Sequence, residues 1–267
     1  VLARFAAGAT GARAAARSGA AVAVIDAFRA STSICVLVSR GVRVVPVASL
    51  ERAARAEADY RIGERGSAKV AGFDFGNSPT ELAAADLRPG STAALSTTNG
   101  TRVLEAAEGA PVLLTGAFVN ATALAIALHL TGLEIVVVGC GWEGRRALED
   151  EMAAGAILHR LAKDGISLDR RAEAVAKMYR TRPKSDVLRS SAARRLERLG
   201  YTSDLTFCIE EDTVPVVPQL KDGVFDQAVS GLWAAKDSRV EAAAYSRAGR
   251  SGMSGRQPEV ASRDGGV

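Results

Sequence analysis

A chain of 267 residues, 48% hydrophobic and 24% charged, is long enough to bury one large α/β core or two small ones. Its three cysteines are odd in number and far apart, which argues against a disulfide scaffold and for a reducing compartment, and no apolar run reaches the roughly 20 residues that span a bilayer. The net charge of +4 rests mainly on arginine, but the densest basic stretch, Arg170 to Arg198, is broken by Glu173, Asp186 and Glu197 and holds one aromatic, Tyr179, so it reads as a solvated helical face and not as a nucleic-acid surface.

In chain order, the N-terminus is Ala-rich with arginines and reads as helical, without an apolar segment ending in a cleavage site. A cytoplasmic protein is expected. Next comes a buried strand from Ala21 to Asp26, a helix from Ser31 to Ser39, a strand from Val42 to Val47 and a helix from Ser49 to Asp59. Residues 63–79 are too rich in glycine for a helix and read as a functional loop. Three strands follow, Ala93 to Thr97, Pro111 to Thr115 and Glu134 to Gly139, trailed by helices at Thr101 to Ala107, Ala121 to Leu130 and Glu149 to Lys163. Such alternation predicts a three-layer α/β/α fold around a largely parallel or mixed sheet.

Beyond it, Asp169 to Arg180 and Ser190 to Leu199 are amphipathic, and Gly200 is placed to end the second helix. Leu205 to Ile209 and Val214 to Val217 read as short edge strands, because Pro215 and Pro218 argue against a central position. From Lys236 the composition turns to Ser, Gly, Arg and Glu without apolar period, which divides the chain into a domain of residues 1–235 and a tail of residues 236–267 expected to be disordered.

Open α/β sheets bind ligands at the carboxyl ends of their strands. The loops after four strands carry polar groups: Asp26, Arg29, Ser31 and Thr32 after the first; Thr97, Thr98, Asn99, Gly100 and Thr101 after the Ala93 strand; Asn120 after the Pro111 strand; and Glu143 with Gly144 after the Glu134 strand. Each has a structural alternative. Asp26, Ser31 or Thr32 can cap a helix, Thr98-Asn99-Gly100 can be a turn, Glu143 can be a surface acid, and Glu149 and Asp150 suit a first helical turn. The functional reading draws on their common edge.

Five segments in order carry a resemblance: Val24-Ile-Asp26-Ala-Phe-Arg29-Ala-Ser31-Thr32, Gly63-Glu64-Arg65-Gly66, Gly72-Phe-Asp74-Phe-Gly76-Asn77-Ser78-Pro79, Ser96-Thr97-Thr98-Asn99-Gly100-Thr101, and Glu143-Gly144-Arg145 through Leu148-Glu149-Asp150. In residue type, order and spacing they resemble the 2-phosphosulfolactate phosphatase family. Phe28 stands where that family usually has Leu, and Trp142 where it more often has a small polar residue. The resemblance implies a three-layer fold and Mg²⁺-dependent hydrolysis of 2-phospho-3-sulfolactate to sulfolactate and phosphate, in some organisms a step of coenzyme M synthesis.

Such chemistry needs charge neutralisation and a positioned attacker. Mg²⁺ takes one or two carboxylates and keeps waters. The acids offered as its ligands are Asp26, Glu143, Glu149 and Asp150, with Glu64 a further candidate that could instead pair with Arg65. Asp26, Arg29, Asn99 and Glu143 form the expected catalytic set. Guanidinium forks of Arg29, Arg65 and Arg145 suit a substrate with phosphate, carboxylate and sulfonate. Ser31, Thr32, Asn77, Ser78, Asn120 and the Thr97-to-Thr101 loop, whose backbone N–H groups can hold phosphate oxygens, complete the substrate set.

Direct attack by water is expected, with Asp26 as ligand or base. The partner is a small anionic phosphomonoester, and a homodimer is left open. Two rivals remain: a cysteine phosphatase using Cys140 and Arg146, which have the Cys-x5-Arg offset, and a non-catalytic organophosphate binder. No second Asp stands two residues after Asp26, where an aspartyl phosphatase would need it, and His129 and His159 lie in helical patterns without an Arg-His-Gly motif.

Overall fold

The computed structural model of the protein describes residues 1–228. The expected tail of residues 236–267, and the boundary at 235, lie outside the described residues. The elements run β1 (Leu2–Ala7), α1 (Gly8–Arg17), β2 (Ala21–Ile25), α2 (Ala30–Ser39), β3 (Arg43–Pro46), α3 (Leu50–Arg55), β4 (Tyr60–Arg65), β5 (Ala68–Lys69), α4 (Pro79–Ala84), β6 (Thr92–Ser96), α5 (Gly100–Ala106) and β7 (Val112–Gly116). They continue with α6 (Ala121–Leu130), β8 (Ile135–Gly139), α7 (Leu148–Lys163), β9 (Ser167–Leu168), α8 (Arg170–Thr181), α9 (Ser191–Arg198), α10 (Thr202–Ile209), β10 (Pro218–Lys221) and β11 (Val224–Gln227). Short 3-10 turns precede α6 and α9.

The protein is thus α/β, with one mixed sheet of order β5-β4-β6-β3-β11-β10-β7-β2-β8-β1-β9 flanked by helices. Two parallel groups, β4-β6-β3 and β7-β2-β8-β1-β9, are joined by the antiparallel hairpin β10–β11. The chain direction reverses at β3–β11, at β11–β10 and at β10–β7, so the two groups run in opposite senses. Their carboxyl ends meet nonetheless, which requires the sheet to coil. Its pivot is α2. Residues 30–38 of this helix are all buried, and it packs on β3, β7, β10 and β11. A helix apolar on every side is stable only when covered on every side.

Period-two alternation divides β2 between the faces: Val22 and Val24 join the cluster of α1, α2 and α5, while Ala21, Ala23 and Ile25 turn the other way.

Several expectations change. The N-terminus begins with strand β1, whose alternating burial pairs it with β8 before α1 starts. The Ser49 helix stops at Arg55, and the segment expected as a glycine-rich loop contains β4, where Gly63 accommodates the ring of Phe73. Leu205 to Ile209 is part of helix α10, and Val214 to Val217 forms no strand; the strand follows it. The hairpin is central rather than an edge. Pro218 is tolerated because it opens β10, where no ladder N–H is needed.

Candidate active site

Loops from both parallel groups converge on one cavity, lined by Asp26, Phe28, Arg29, Glu64, Ser67, Asn77, Asn99, Gly141, Trp142, Glu149, Asp150 and Arg195. Each of the five segments quoted above contributes at least one of these residues. Two carboxylates tie the loops together. Asp150, in the first turn of α7, accepts Ala27 N–H (2.9 Å) and Gly141 N–H (2.8 Å), bridging the loops after β2 and β8. Glu64, at the end of β4, accepts Thr98 N–H (2.6 Å) and Ser67 N–H (2.7 Å), and its second oxygen also accepts the Thr98 hydroxyl. Asn99 Nδ2 donates to Gly141 O at 2.6 Å, which joins the β6 and β8 loops directly.

Asp26 accepts Ala30 N–H (3.2 Å) through one oxygen, and the other faces the start of α5, where a Cβ on Gly100 would fall 2.7 Å from it. Loss of solvent around it, with the charges of Glu64 and Glu149, raises its carboxyl to about 7 against the opposing pull of Ala30 N–H and Arg29. Burial likewise raises Glu149, and it lifts Asp150 well above the carboxylate range with help from Asp26 and Glu149. So much packed negative charge asks for a cation. Asn77 Oδ1, buried at the cavity, meets no hydrogen-bond donor among the described residues. Its orphaned oxygen, with the free oxygen of Asp26 and the carboxylate of Glu149, is a hard-oxygen set that fits Mg²⁺. Among the described residues no three His, Cys, Asp or Glu side chains are grouped so as to hold a metal ion between them.

Arg29 is at the cavity but heavily committed. Its Nη1 meets Asp204 at 2.7 Å with both side chains buried, Nη2 donates to Ser67 O at 2.6 Å, and the ring of Tyr201 lies 4.2 Å from its guanidinium carbon. Asp204 also accepts Ser78 and Thr80 hydroxyls, so α10 anchors the Asn77-Ser78 turn and Arg29 together.

Other residues of the expected set hold the loops. The Ser31 hydroxyl accepts Asp26 N–H and pairs with that of Thr115; the Thr32 hydroxyl donates to Ala27 O. Thr97 Oγ1 accepts Thr101 N–H, and the Thr101 hydroxyl donates back to Thr97 O. The N–H groups of Thr98 and Thr101, expected to hold phosphate, are therefore already bonded within the protein. Asn120 is buried, joining Ala117 N–H to Val216 O. Arg65 donates to Glu64 O and Ser96 Oγ and does not line the cavity. Glu143 and Arg145 are exposed on a tight turn, with Trp142 and Arg145 paired and positive φ at both Glu143 (48°) and Gly144 (77°), and they too stand outside the cavity lining.

Sequence reasoning missed Ser67, Arg195 and Asp204. The latter two sit on short helices far along the chain, and the basic run around Arg195 carries no local signal beyond a solvated face. The cysteine rival is corrected. Cys140 is packed in the apolar core, its thiol pushed well above its ordinary value by burial and by the charges of Asp26 and Asp150. Arg146, for its part, is bonded to Glu151.

A family model described as 2-phosphosulpholactate phosphatase matches residues 10–223. The chain is 39% identical over 219 residues to a protein of Gloeobacter violaceus named "Probable 2-phosphosulfolactate phosphatase", covering 77% of this chain and 91% of that one. A protein of the same name from Synechococcus sp. (strain JA-2-3B'a(2-13)) is 41% identical over 219 residues, covering 75% and 88%. Another, from Caldanaerobacter subterraneus subsp. tengcongensis, is 33% identical over 214 residues, covering 76% and 88%.

Proposed function

The chain belongs to the 2-phosphosulpholactate phosphatase family, and from that premise we propose that it hydrolyses 2-phospho-3-sulfolactate, with Mg²⁺, to sulfolactate and phosphate in the cytoplasm. One observation supports this reading above the others: the five segments that carry the family resemblance all contribute to one acidic cavity.

Asp26, Glu149 and Asn77 Oδ1 would hold the metal. Bound there, Mg²⁺ supplies a Lewis acid that offsets the charge of the phosphoryl oxygens. The chain's own groups supply the rest. Asp26 acts as metal ligand or, with Glu149 and Asn77 alone holding the metal, as the general base that takes a proton from an attacking water. Its carboxyl is raised to about 7 by burial and the neighbouring acids, and a cation bound to it would lower that. Glu64, Asp150 and Asn99 hold the three loops in register. Preorganisation of this kind saves reorganisation at the moment of reaction.

A phosphate-release assay on 2-phosphosulfolactate and 2-phospholactate, with Mg²⁺ and with EDTA, tests the proposal. Release that needs Mg²⁺ is expected. Undiminished release in EDTA would remove the metal from the mechanism, and tight Mg²⁺-dependent binding without release would favour a non-catalytic binder. Acid-quench trapping of a phosphorylated protein would overturn direct attack by water.

A further inference from the structure

The middle layer of the fold stops one strand short of the helices that cover it. Strand β9 pairs with Leu2 and Ala3 alone, so Arg4 to Ala7 have β8 on one side and, among the described residues, no strand on the other. Asp169 N–H donates to Ala3 O at 2.9 Å, which fixes the alternation: the backbone groups of Ala3 point away from β8, and those of Phe5 do the same one pleat further on. Helices α1 and α8 flank this open edge on its two faces. Ala6 turns to α1, where a Cβ on Gly11 would fall 2.9 Å from its own, and Phe5 turns to the other face, beside Gly139 and Asp150. A cavity of about 320 Å³ lies against Ala174 of α8, and one of about 550 Å³ against Ala14 of α1. The two meet at Phe5, Ala6 and Arg171, which line both.

We propose that this slot takes an extended acidic segment of a partner protein, added as a strand beside β1. An unpaired edge is a template for a further strand, and alternate side chains of that strand would enter the two cavities. Ala14 and Ala174 are exposed and small, which leaves room for them. The charge at the slot selects the partner. Arg171 is exposed and forms no ion pair among the described residues, and the acid nearest Arg4 is Glu134 at 4.0 Å. The one acid in the lining, Asp169, is committed to Ala172 N–H at 2.7 Å. Acidic side chains on the added strand would meet Arg4 and Arg171. A second copy fits less well, because a two-fold axis at so short an edge would bring the same arginines of both copies together. None of these residues lines the acidic cavity, so the proposal stands apart from the phosphatase reading.

The probe is a fluorescent octapeptide that alternates valine with aspartate or glutamate, followed by anisotropy. Its controls are the same peptide with lysine for every acid and a form methylated at every backbone nitrogen. The acidic peptide should bind at least about 10-fold more tightly than either control. Ala174→Trp, which fills the slot from an exposed position, and Arg171→Glu, which reverses its charge, should each weaken binding at least about 10-fold. Both variants should keep the Tm and the phosphate release of wild type, since neither touches the acidic cavity.

No saturable binding up to about 1 mM would overturn the proposal. So would equal binding of the acidic and basic peptides, or acidic binding that both variants leave intact. Sedimentation velocity covers the remaining occupant: self-association of wild type that Ala174→Trp abolishes would assign the slot to a second copy and end the case for an acidic partner.

Discussion

Asp26 has little freedom: one oxygen takes Ala30 N–H, and the other is crowded by the backbone of α5 at Gly100. Glu143 is an acid in the loop after β8, but its side chain stands on an exposed turn outside the cavity. These placements separate two residues that the sequence treats alike. Asp26→Asn should lower kcat by about 10²- to 10⁴-fold, the range for removing a general base. Glu143→Gln should leave kcat within about 2-fold of wild type, as surface substitutions usually do. Steady-state phosphate release on both variants checks this, and a large loss at Glu143 would mean that its turn closes over the substrate.

The longest helix shows packing overruling propensity. Gly155 sits in the middle of α7, where Ala would ordinarily be better by about 1 kcal/mol. Here a Cβ would fall 2.6 Å from Val175 O and 2.7 Å from Tyr179 Cβ, both on α8. The carbonyl cannot swing away without moving α8, so overpacking at about 3 kcal/mol wins. Gly155→Ala should therefore lower Tm, by about 4–8 °C for a net loss near 2 kcal/mol. A rise in Tm would show that the two helices part freely. The hairpin β10–β11 makes a related point. Phe225 is fully buried opposite Val44, so a segment with two prolines nearby fills the centre of the sheet.

For the whole molecule, the acidic cavity couples stability to pH and metal. Asp26, Glu149 and Asp150 all have raised carboxyls in the fold. The contribution of Asp26 is therefore fully present below the ordinary carboxylate range, near pH 4, and is lost as pH rises through about 7, and those of Glu149 and Asp150 are lost in the same direction as pH rises. A cation should replace the missing protons. The gain in Tm on adding Mg²⁺ should be larger at pH 8 than at pH 5; at 100 times Kd it is worth about 2.7 kcal/mol, or roughly 5–10 °C. Thermal scans at both pH values, with Mg²⁺ and with EDTA, measure this difference directly, and an equal or reversed gain would remove the cation from the cavity.

The sequence by itself determined the α/β class, the strand at Ala21 and the helix Ala121–Leu130, because those segments carry strong period or full apolarity. It also determined which loops are polar, since strand ends and glycine-rich turns are local features. Tertiary structure alone decided that β1 and β4 are strands, that the hairpin is central, and which polar residues face the cavity and which brace it. Asp204 and Arg195 belong to the site through contacts with residues more than a hundred positions away, at Arg29 and Ser67. No local periodicity encodes such contacts; they exist only once the coiled sheet brings α9 and α10 against the loop after β2.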